Sequence, residues 1–212
     1  MTELQKLGQK YNTDKSHPSH SYQGKTYCDI YDRYFRDIRH DVKNVVEIGV
    51  LGGSSIKMWA EYFPNAKIYG IDIDPQAKQY ESDRIKIFIG DQNNKQFLEF
   101  LKDEIKEIDI LIDDGSHINR HIIHSYNVLK ENVKRFYVIE DMLCSYETNN
   151  EHNIREIWQG QKYNNKNDDL KNYRHEIEDW FKEEIKTIDK KTSMWNGIHF
   201  HSWIIILEKN LD

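Results

Sequence analysis

The central part of the chain alternates between short runs rich in β-branched residues and longer amphipathic stretches. Between the runs, apolar residues recur at helical intervals, for example at Ile56, Trp59 and Phe63. An alternation of this kind predicts a parallel sheet with helices on both faces, joined by right-handed crossovers. The runs that we predict as strands are 44–48, 67–72, 84–89, 108–113 and 136–139.

A later run, 198–209, is also strand-like and contains no residues that indicate an intervening turn. With 212 residues, the chain has the size of one domain and can bury a hydrophobic core without disulfides. We therefore predict a single domain over 1–212. Within it, 1–40 form a helical cap or lid, and 41–212 form an α/β core around a doubly wound sheet.

Composition excludes several classes of protein. An aromatic content of 12% is too high for a disordered chain, and apolar runs such as 203–207 are too short to cross a bilayer. The net charge of −6, without a long basic block, argues against a nucleic-acid partner. Cys28 and Cys144 cannot form a disulfide scaffold and favour a reducing compartment. We expect a cytoplasmic protein with no visible signal peptide.

A glycine-rich turn follows the first predicted strand. Gly49, Gly52 and Gly53 would let the backbone turn tightly, and the helix that begins near Ser54 would offer free N–H groups to an anionic ligand. The turn matches neither the dinucleotide pattern nor a P-loop. The alternative is a strand-to-helix turn that needs glycine only for its geometry.

Polar groups also end the second and third predicted strands. Asp72 lies about 20 residues beyond the glycine turn, where a ribose diol is held in related folds. Asp91, in the segment 90–92, could hydrogen-bond the amino group of a purine. Alone, each acid could be a solvated strand end. Together with the glycine turn, they predict a pocket for an adenosine-like cofactor with a charged tail.

Acidic residues gather after the fourth and fifth predicted strands. Asp114, Glu140 and Asp141 would meet at one edge of the sheet and repel one another unless a cation lay between them. Oxygen ligands of this kind favour Mg²⁺, then Mn²⁺ or Ca²⁺. His117 could act as general base for a hydroxyl whose acidity the metal raises. The alternative is that these acids, with Asp113, cap the following helices.

Several of these motifs resemble those of class I S-adenosylmethionine-dependent methyltransferases. Two elements are similar, more narrowly, to the metal-dependent sugar O-methyltransferases of macrolide biosynthesis, the mycinamicin and macrocin type. Cephalosporin-hydroxylase-like proteins share one of these two elements, 113–117. The general resemblance rests on 47–49, 52–53, 70–72 and 90–92. The narrower resemblance rests on 113–117 and 138–141. Residues 10–15 and 20–22 are also similar to the opening segment of the narrower group.

The resemblance implies a Rossmann-like, mostly parallel seven-stranded sheet with helices on both faces. It implies an enzyme that uses S-adenosylmethionine and Mg²⁺ to methylate a sugar hydroxyl on a small molecule or glycan, and a homo-oligomer. Asp114, Glu140 and Asp141 would hold Mg²⁺, and His117 would remove the proton. The residues that would bind the cofactor are Glu47, Gly49, Ser54, Asp72, Asp91 and Asp113.

The segment 14–22 carries more polar chemistry than a connector needs. We predict that Lys15, His20 and Tyr22 form part of a lid near the cofactor and the substrate. The aromatic stripe that follows, which includes Tyr27 and Tyr31, is interpreted as packing on the sheet rather than stacking on carbohydrate.

Other interpretations stay open. Methylation of a catechol-like phenol would use the same metal chemistry. A hydroxylase-like relative or a non-catalytic cofactor-binding protein would lack transfer activity. His121 and His124 share helical spacing with His117 and could take part in a zinc site, but we favour structural or exposed roles for them. We interpret His199 and His201 as core-edge or solvent histidines.

Overall fold

The computed structural model describes residues 1–145 and 172–209, apart from the side chain of Tyr22. Two short strands, β1 (Ser21–Tyr22) and β2 (Lys25–Thr26), form a small antiparallel hairpin. The strands of the main sheet are β3 (Asn44–Ile48), β4 (Lys67–Asp72), β5 (Ile85–Ile89), β6 (Ile108–Asp113), β7 (Val133–Ile139), β8 (Trp195–Phe200) and β9 (Ile205–Lys209).

The main sheet has seven strands in the order β5-β4-β3-β6-β7-β9-β8. The strands β3 to β7 are parallel to their neighbours, whereas β9 runs antiparallel to β7 and β8 antiparallel to β9. This arrangement confirms the predicted mostly parallel, Rossmann-like sheet. The order reverses next to β3, so the crevice where such folds bind ligands lies at the carboxyl ends of β3 and β6.

The helices begin at residues that suit a helix N-terminus. Thr2 accepts a hydrogen bond from a backbone N–H of the first helix, and Thr26 and Asp29 form a capping box at the second. No helix of the described residues is long and apolar enough to cross a membrane. The helices are α1 (Glu3–Tyr11), α2 (Tyr27–Phe35), α3 (Ser54–Tyr62), α4 (Lys95–Glu104), α5 (Asn119–Leu129) and α6 (Arg174–Asp189).

The central strands β3, β6 and β7 are buried on both faces and are largely apolar, whereas most residues of the edge strand β8 are half-buried or exposed. Val45 contributes to the core beneath α1, α2 and α3, and its neighbour Val46 to the core beneath α4, α5 and α6. The alternation of side chains along a strand explains this division. Leu4 and Phe35 belong to the first core, so the segment 1–40 shares its apolar contacts with the α/β unit. The division at residue 41 stays a prediction.

The prediction of an uninterrupted strand-like run over 198–209 is wrong. The strand β8 ends at Phe200 and β9 begins at Ile205, and the His201 N–H donates to the Ile204 oxygen (2.9 Å) to close the turn. Trp203 occupies the left-handed region, with φ +67°. Because this turn contains neither glycine nor proline, and only Ser202 among the weaker turn residues, composition gave little sign of it.

Candidate active site

The glycine turn after β3 lies directly against the end of β6. Gly49 has φ +93°, and a Cβ there would clash with the backbone oxygen of Asp114. Gly53, which precedes α3, has φ +72°, and a Cβ there would meet the ring of Tyr80. Both positions therefore require glycine, on grounds of space as well as conformation. Ser54 is the first residue of α3 and is half-buried.

Asp72 fixes the glycine turn from the end of β4. One of its carboxylate oxygens accepts hydrogen bonds from the N–H groups of Val50 (2.8 Å) and Leu51 (2.9 Å). The other oxygen accepts from the N–H of Asp74 (2.8 Å). The carboxylate is half-buried at the crevice, where a ribose would also lie.

Glu47 is buried beneath α3. Its carboxylate accepts hydrogen bonds from the Ser55 hydroxyl (2.8 Å) and from the Trp59 ring N–H (2.9 Å). Burial raises the pKa of Glu47 to about 7, although the nearby Lys15 ammonium and these hydrogen bonds act in the opposite direction. Glu47 thus joins the strand to the helix that begins at the glycine turn.

Asp113 is buried at the end of β6, and it is held by two neighbours. It accepts hydrogen bonds from the Ser125 hydroxyl (2.8 Å) and from the Gln92 amide (3.1 Å). Burial raises the pKa of Asp113. The Gln92 oxygen accepts in turn from the Ser116 N–H (2.6 Å), which ties the ends of β5 and β6 together. Asp91 is exposed beside them.

Lys15 lies inside the site, with only 2% of its side chain exposed. Its ammonium is 2.5 Å from an Asp114 oxygen, 2.7 Å from a Glu140 oxygen and 3.8 Å from a Glu47 oxygen. Burial by itself lowers the pKa of Lys15, but these carboxylates raise it well above its usual value. The lysine therefore remains charged and connects the N-terminal segment to the ends of β3, β6 and β7.

Two tyrosines of α2 hold the acids that follow β7. The Tyr31 hydroxyl donates to Glu140, and the Tyr27 hydroxyl donates to Asp141 (2.6 Å). Burial and the Asp114 charge raise the pKa of Glu140 well above its usual value. The interpretation of these tyrosines as packing on the sheet therefore misses their hydrogen bonds to the two acids. Tyrosine rather than phenylalanine at both positions was the feature that could have indicated polar partners.

Three side chains form the group best placed to hold a metal ion among the described residues: Asp114, His117 and Asp141. One ligand atom from each lies within 4.8 Å of the others. The His117 Nε2 atom is 3.9 Å from an Asp114 oxygen and 3.7 Å from an Asp141 oxygen. Glu140 lies outside this group, because its carboxylate is bonded to Lys15 and Tyr31.

The balance of charge and the backbone conformation both indicate that the group of Asp114, His117 and Asp141 is a functional site. One ammonium faces several carboxylates here, so a divalent cation would improve the balance of charge. His117 and Asp141 both adopt left-handed conformations, with φ +55° and +53°. The His117 Nδ1 atom is buried and has no hydrogen-bond partner within the described residues. Strained residues and unsatisfied polar atoms of this kind concentrate at functional sites.

A cleft opens beside this group. It is lined by Tyr27 from α2, by His20 from the predicted lid segment, and by Trp203 and His201 from the β8–β9 turn. His20 packs edge-on against Tyr27, with ring centroids 5.5 Å apart. His201 therefore faces the cleft. The side chain of Tyr22 lies outside the described residues.

Comparison with known proteins shows that the chain is similar to methyltransferases. No family model matches it. It is 43% identical over 125 residues to mycinamicin VI 2''-O-methyltransferase of Micromonospora griseorubida, which is 55% of this chain and 31% of that protein. It is 34% identical over 152 residues to L-olivosyl-oleandolide 3-O-methyltransferase of Streptomyces antibioticus, which is 68% of this chain and 38% of the relative. The chain thus spans about a third of the length of these curated relatives.

Comparison with solved structures also finds similarity to methyltransferases. The MycE methyltransferase in complex with Mg, S-adenosylhomocysteine and mycinamycin VI aligns with a TM-score of 0.76 and 30% identity, over 99% of this chain and 55% of that one. A Podospora anserina methyltransferase bound to S-adenosylhomocysteine aligns with a TM-score of 0.57 over 99% of this chain and 89% of that one. At 12% identity, it shows the fold alone.

The sheet order and these similarities show that the chain has the fold of the class I S-adenosylmethionine-dependent methyltransferases. Among the proteins with this fold, the chain is similar in sequence to the sugar O-methyltransferases of macrolide biosynthesis, as the motifs after β3, β6 and β7 predicted.

Proposed function

We propose that this chain transfers a methyl group from S-adenosylmethionine to a sugar hydroxyl, with the help of Mg²⁺. The observation that carries the proposal is the group formed by Asp114, His117 and Asp141, which lies against the glycine turn at the ends of β3 and β6. The relatives named as sugar O-methyltransferases, and the MycE structure that holds both Mg and S-adenosylhomocysteine, support it.

The residues that would bind the cofactor lie at or just after the ends of the strands. Asp72 would bind the ribose hydroxyls and Asp91 the adenine amino group, since both lie at the crevice with exposed or half-buried carboxylates. Glu47, Gly49 and Ser54 would surround the methionine part. Asp113 would lie beneath the cofactor; its buried hydrogen bonds give it a positioning role.

On the metal side, Asp114 and Asp141 would each offer one carboxylate oxygen. We keep Glu140 as the third predicted ligand, although it would first have to exchange its hydrogen bonds to Lys15 and Tyr31. A divalent cation bound here would lower the pKa of a sugar hydroxyl and orient it.

His117 is the proposed general base. Its Nε2 atom faces the two carboxylates, and a neutral imidazole suits proton removal near pH 7. S-adenosylmethionine bound in the cofactor pocket would supply the methyl group to the acceptor oxygen and leave as S-adenosylhomocysteine, and His117 would accept the proton that the acceptor hydroxyl loses. The carboxylates nearby stabilise the imidazolium that results, while the surrounding residues hold the acceptor in line.

The test is methyl transfer to a panel of sugar acceptors, measured with Mg²⁺, with a chelator, and in His117→Ala. We expect the substitution to lower the rate by about 10²- to 10⁴-fold and to leave affinity for S-adenosylhomocysteine unchanged. Exposed His40→Ala serves as the control. A rate with sugars that survives in His117→Ala would remove the base assignment. An undiminished rate in chelator would remove the metal.

We also infer the wider setting of the protein. The acceptor is a small molecule or glycan and not a nucleic acid, an inference that the net charge of −6 supports. A homo-oligomeric state and a cytoplasmic location stay predictions, as does a lid formed by the segment of Lys15, His20 and Tyr22.

A further inference from the structure

The cleft beside the carboxylate group is lined by positively charged side chains. Lys25 and Arg33 line it together with His20 and His201, and no acidic side chain is among the described residues of its lining. Within residues 1–145 and 172–209, neither Lys25 nor Arg33 forms an ion pair. In a chain with a net charge of −6, two cations left without a carboxylate on one cleft favour an anionic ligand.

Tyr27 lies between the cleft and the proposed reaction site. The ring of Tyr27 lines the cleft, and its hydroxyl donates to Asp141 (2.6 Å). Asp141 in turn lies 3.7 Å from His117. His117 itself does not line the cleft, but the contacts of Tyr27 and Asp141 connect the cleft to the proposed general base.

The backbone around the cleft is held in uncommon conformations. Gln23 and Trp203, which both line the cleft, have φ +52° and +67°. The Trp203 oxygen accepts a hydrogen bond from the Met142 N–H (2.9 Å), which fixes the β8–β9 turn next to Asp141. Non-glycine residues persist in such conformations where the surrounding structure holds them, most often at binding sites.

We propose that the acceptor is an anionic sugar whose phosphate or carboxylate is bound by Arg33 and Lys25, while its hydroxyl faces His117. Guanidinium and ammonium groups on one cleft suit either anion. A sugar phosphate, a nucleotide sugar and a uronic acid all carry this chemistry. This inference rests on the proposed function and adds the charge of the substrate to it.

The experiment is calorimetric titration of the full chain, saturated with S-adenosylhomocysteine, in metal-free buffer. The probes are methyl glucoside, methyl glucuronide, glucose 1-phosphate and UDP-glucose. The same titrations are made with the double variant Lys25→Gln, Arg33→Gln and with Lys67→Gln. Lys67 is exposed at the start of β4, the opposite end of the sheet from the site.

In the unmodified chain, we expect at least one anionic probe to bind about tenfold more tightly than the neutral glucoside. The double variant should lose this preference, and Lys67→Gln should keep it. Preference for the glucuronide alone or for the phosphates alone would identify the anion. If no anionic probe binds more tightly than the glucoside, or if the double variant keeps the preference, the inference is wrong.

Failure of this inference is distinct from failure of the proposed function. Binding of S-adenosylhomocysteine with methylation of neutral sugars would retain the function and remove the anionic acceptor. Absence of S-adenosylhomocysteine binding would remove the function itself, whatever the sugars do.

Discussion

Two regions of the crevice use acidic residues in different ways. We call the ends of β3, β4 and β5 the cofactor half, and the ends of β6 and β7 the metal half. In the cofactor half, the acids accept hydrogen bonds from groups nearby in sequence: Asp72 from N–H groups 22 or fewer residues away, and Glu47 from side chains of the helix that follows it. These hydrogen bonds stay within the segment from β3 to the end of β4, and the distant Lys15 adds only a longer contact, 3.8 Å, to Glu47.

In the metal half, the acids depend on the distant N-terminal segment. Lys15 is 99 residues from Asp114 and 125 residues from Glu140 in sequence, and Tyr27 is 114 residues from Asp141. The Lys15 ammonium alone does not balance the negative charge of these carboxylates. The comparison teaches that local geometry builds the cofactor half, whereas the metal half exists only when the whole domain has folded.

The largest expected effect is loss of the buried ammonium. Lys15→Met would leave Asp114 and Glu140 without their cation, which should lower the free energy of unfolding by about 3–5 kcal/mol. Mg²⁺ should restore part of this loss. Urea denaturation with and without Mg²⁺ measures both effects. Lys10→Met is the matched control, since Lys10 forms an exposed ion pair with Glu61 and should matter little. Equal effects of the two substitutions would contradict the difference between the halves.

A smaller effect is expected where the halves touch. Gly49→Ala would force a Cβ into the backbone of Asp114 from a left-handed conformation, at a cost of about 3 kcal/mol. In Gly52→Ala, by contrast, the added Cβ meets nothing within 4 Å, so stability should hardly change. Urea denaturation of both variants gives the comparison. Similar stabilities would show that the turn after β3 does not press on the end of β6.

The smallest expected effect is the change in the free energy of unfolding with pH that Glu47 causes. Its pKa is raised to about 7 in the folded protein, so the folded state holds this proton more tightly than the unfolded chain, whose carboxyl titrates near 4.5. The stability that Glu47 contributes is complete below pH 4.5 and is lost as pH rises through 7. Relative to Glu47→Gln, the unmodified chain should lose about 2 kcal/mol between pH 5 and pH 7.

Thermal and urea denaturation of both proteins at pH 5, 6, 7 and 8 test this expectation. Glu61→Gln is the control, because hydrogen bonds from Lys10 and Tyr11 lower the pKa of Glu61 and leave no change above pH 5. A stability difference between Glu47→Gln and the unmodified chain that stays constant from pH 5 to 8 would show that Glu47 is not a buried, protonated carboxyl.

The sequence could predict what local pattern determines. Strand-helix alternation placed β3 to β7, and the rule that ligands meet strand ends brought Asp72, Asp114 and Asp141 to one crevice. It could not predict that Lys15 would be buried among carboxylates, since a contact across 99 residues depends on how α1 and α2 dock on the sheet. The turn near Trp203 was missed because little in its composition breaks a strand.

The most direct test of the two halves is calorimetric titration of S-adenosylhomocysteine and, separately, Mg²⁺ into the unmodified chain, Asp72→Asn and Asp141→Asn. We predict that Asp72→Asn weakens S-adenosylhomocysteine binding at least tenfold and leaves Mg²⁺ affinity unchanged, because one charged hydrogen bond is worth about that factor. Asp141→Asn should do the reverse. If each substitution weakened both ligands equally, or if the unmodified chain bound neither, the division into a cofactor half and a metal half would be contradicted.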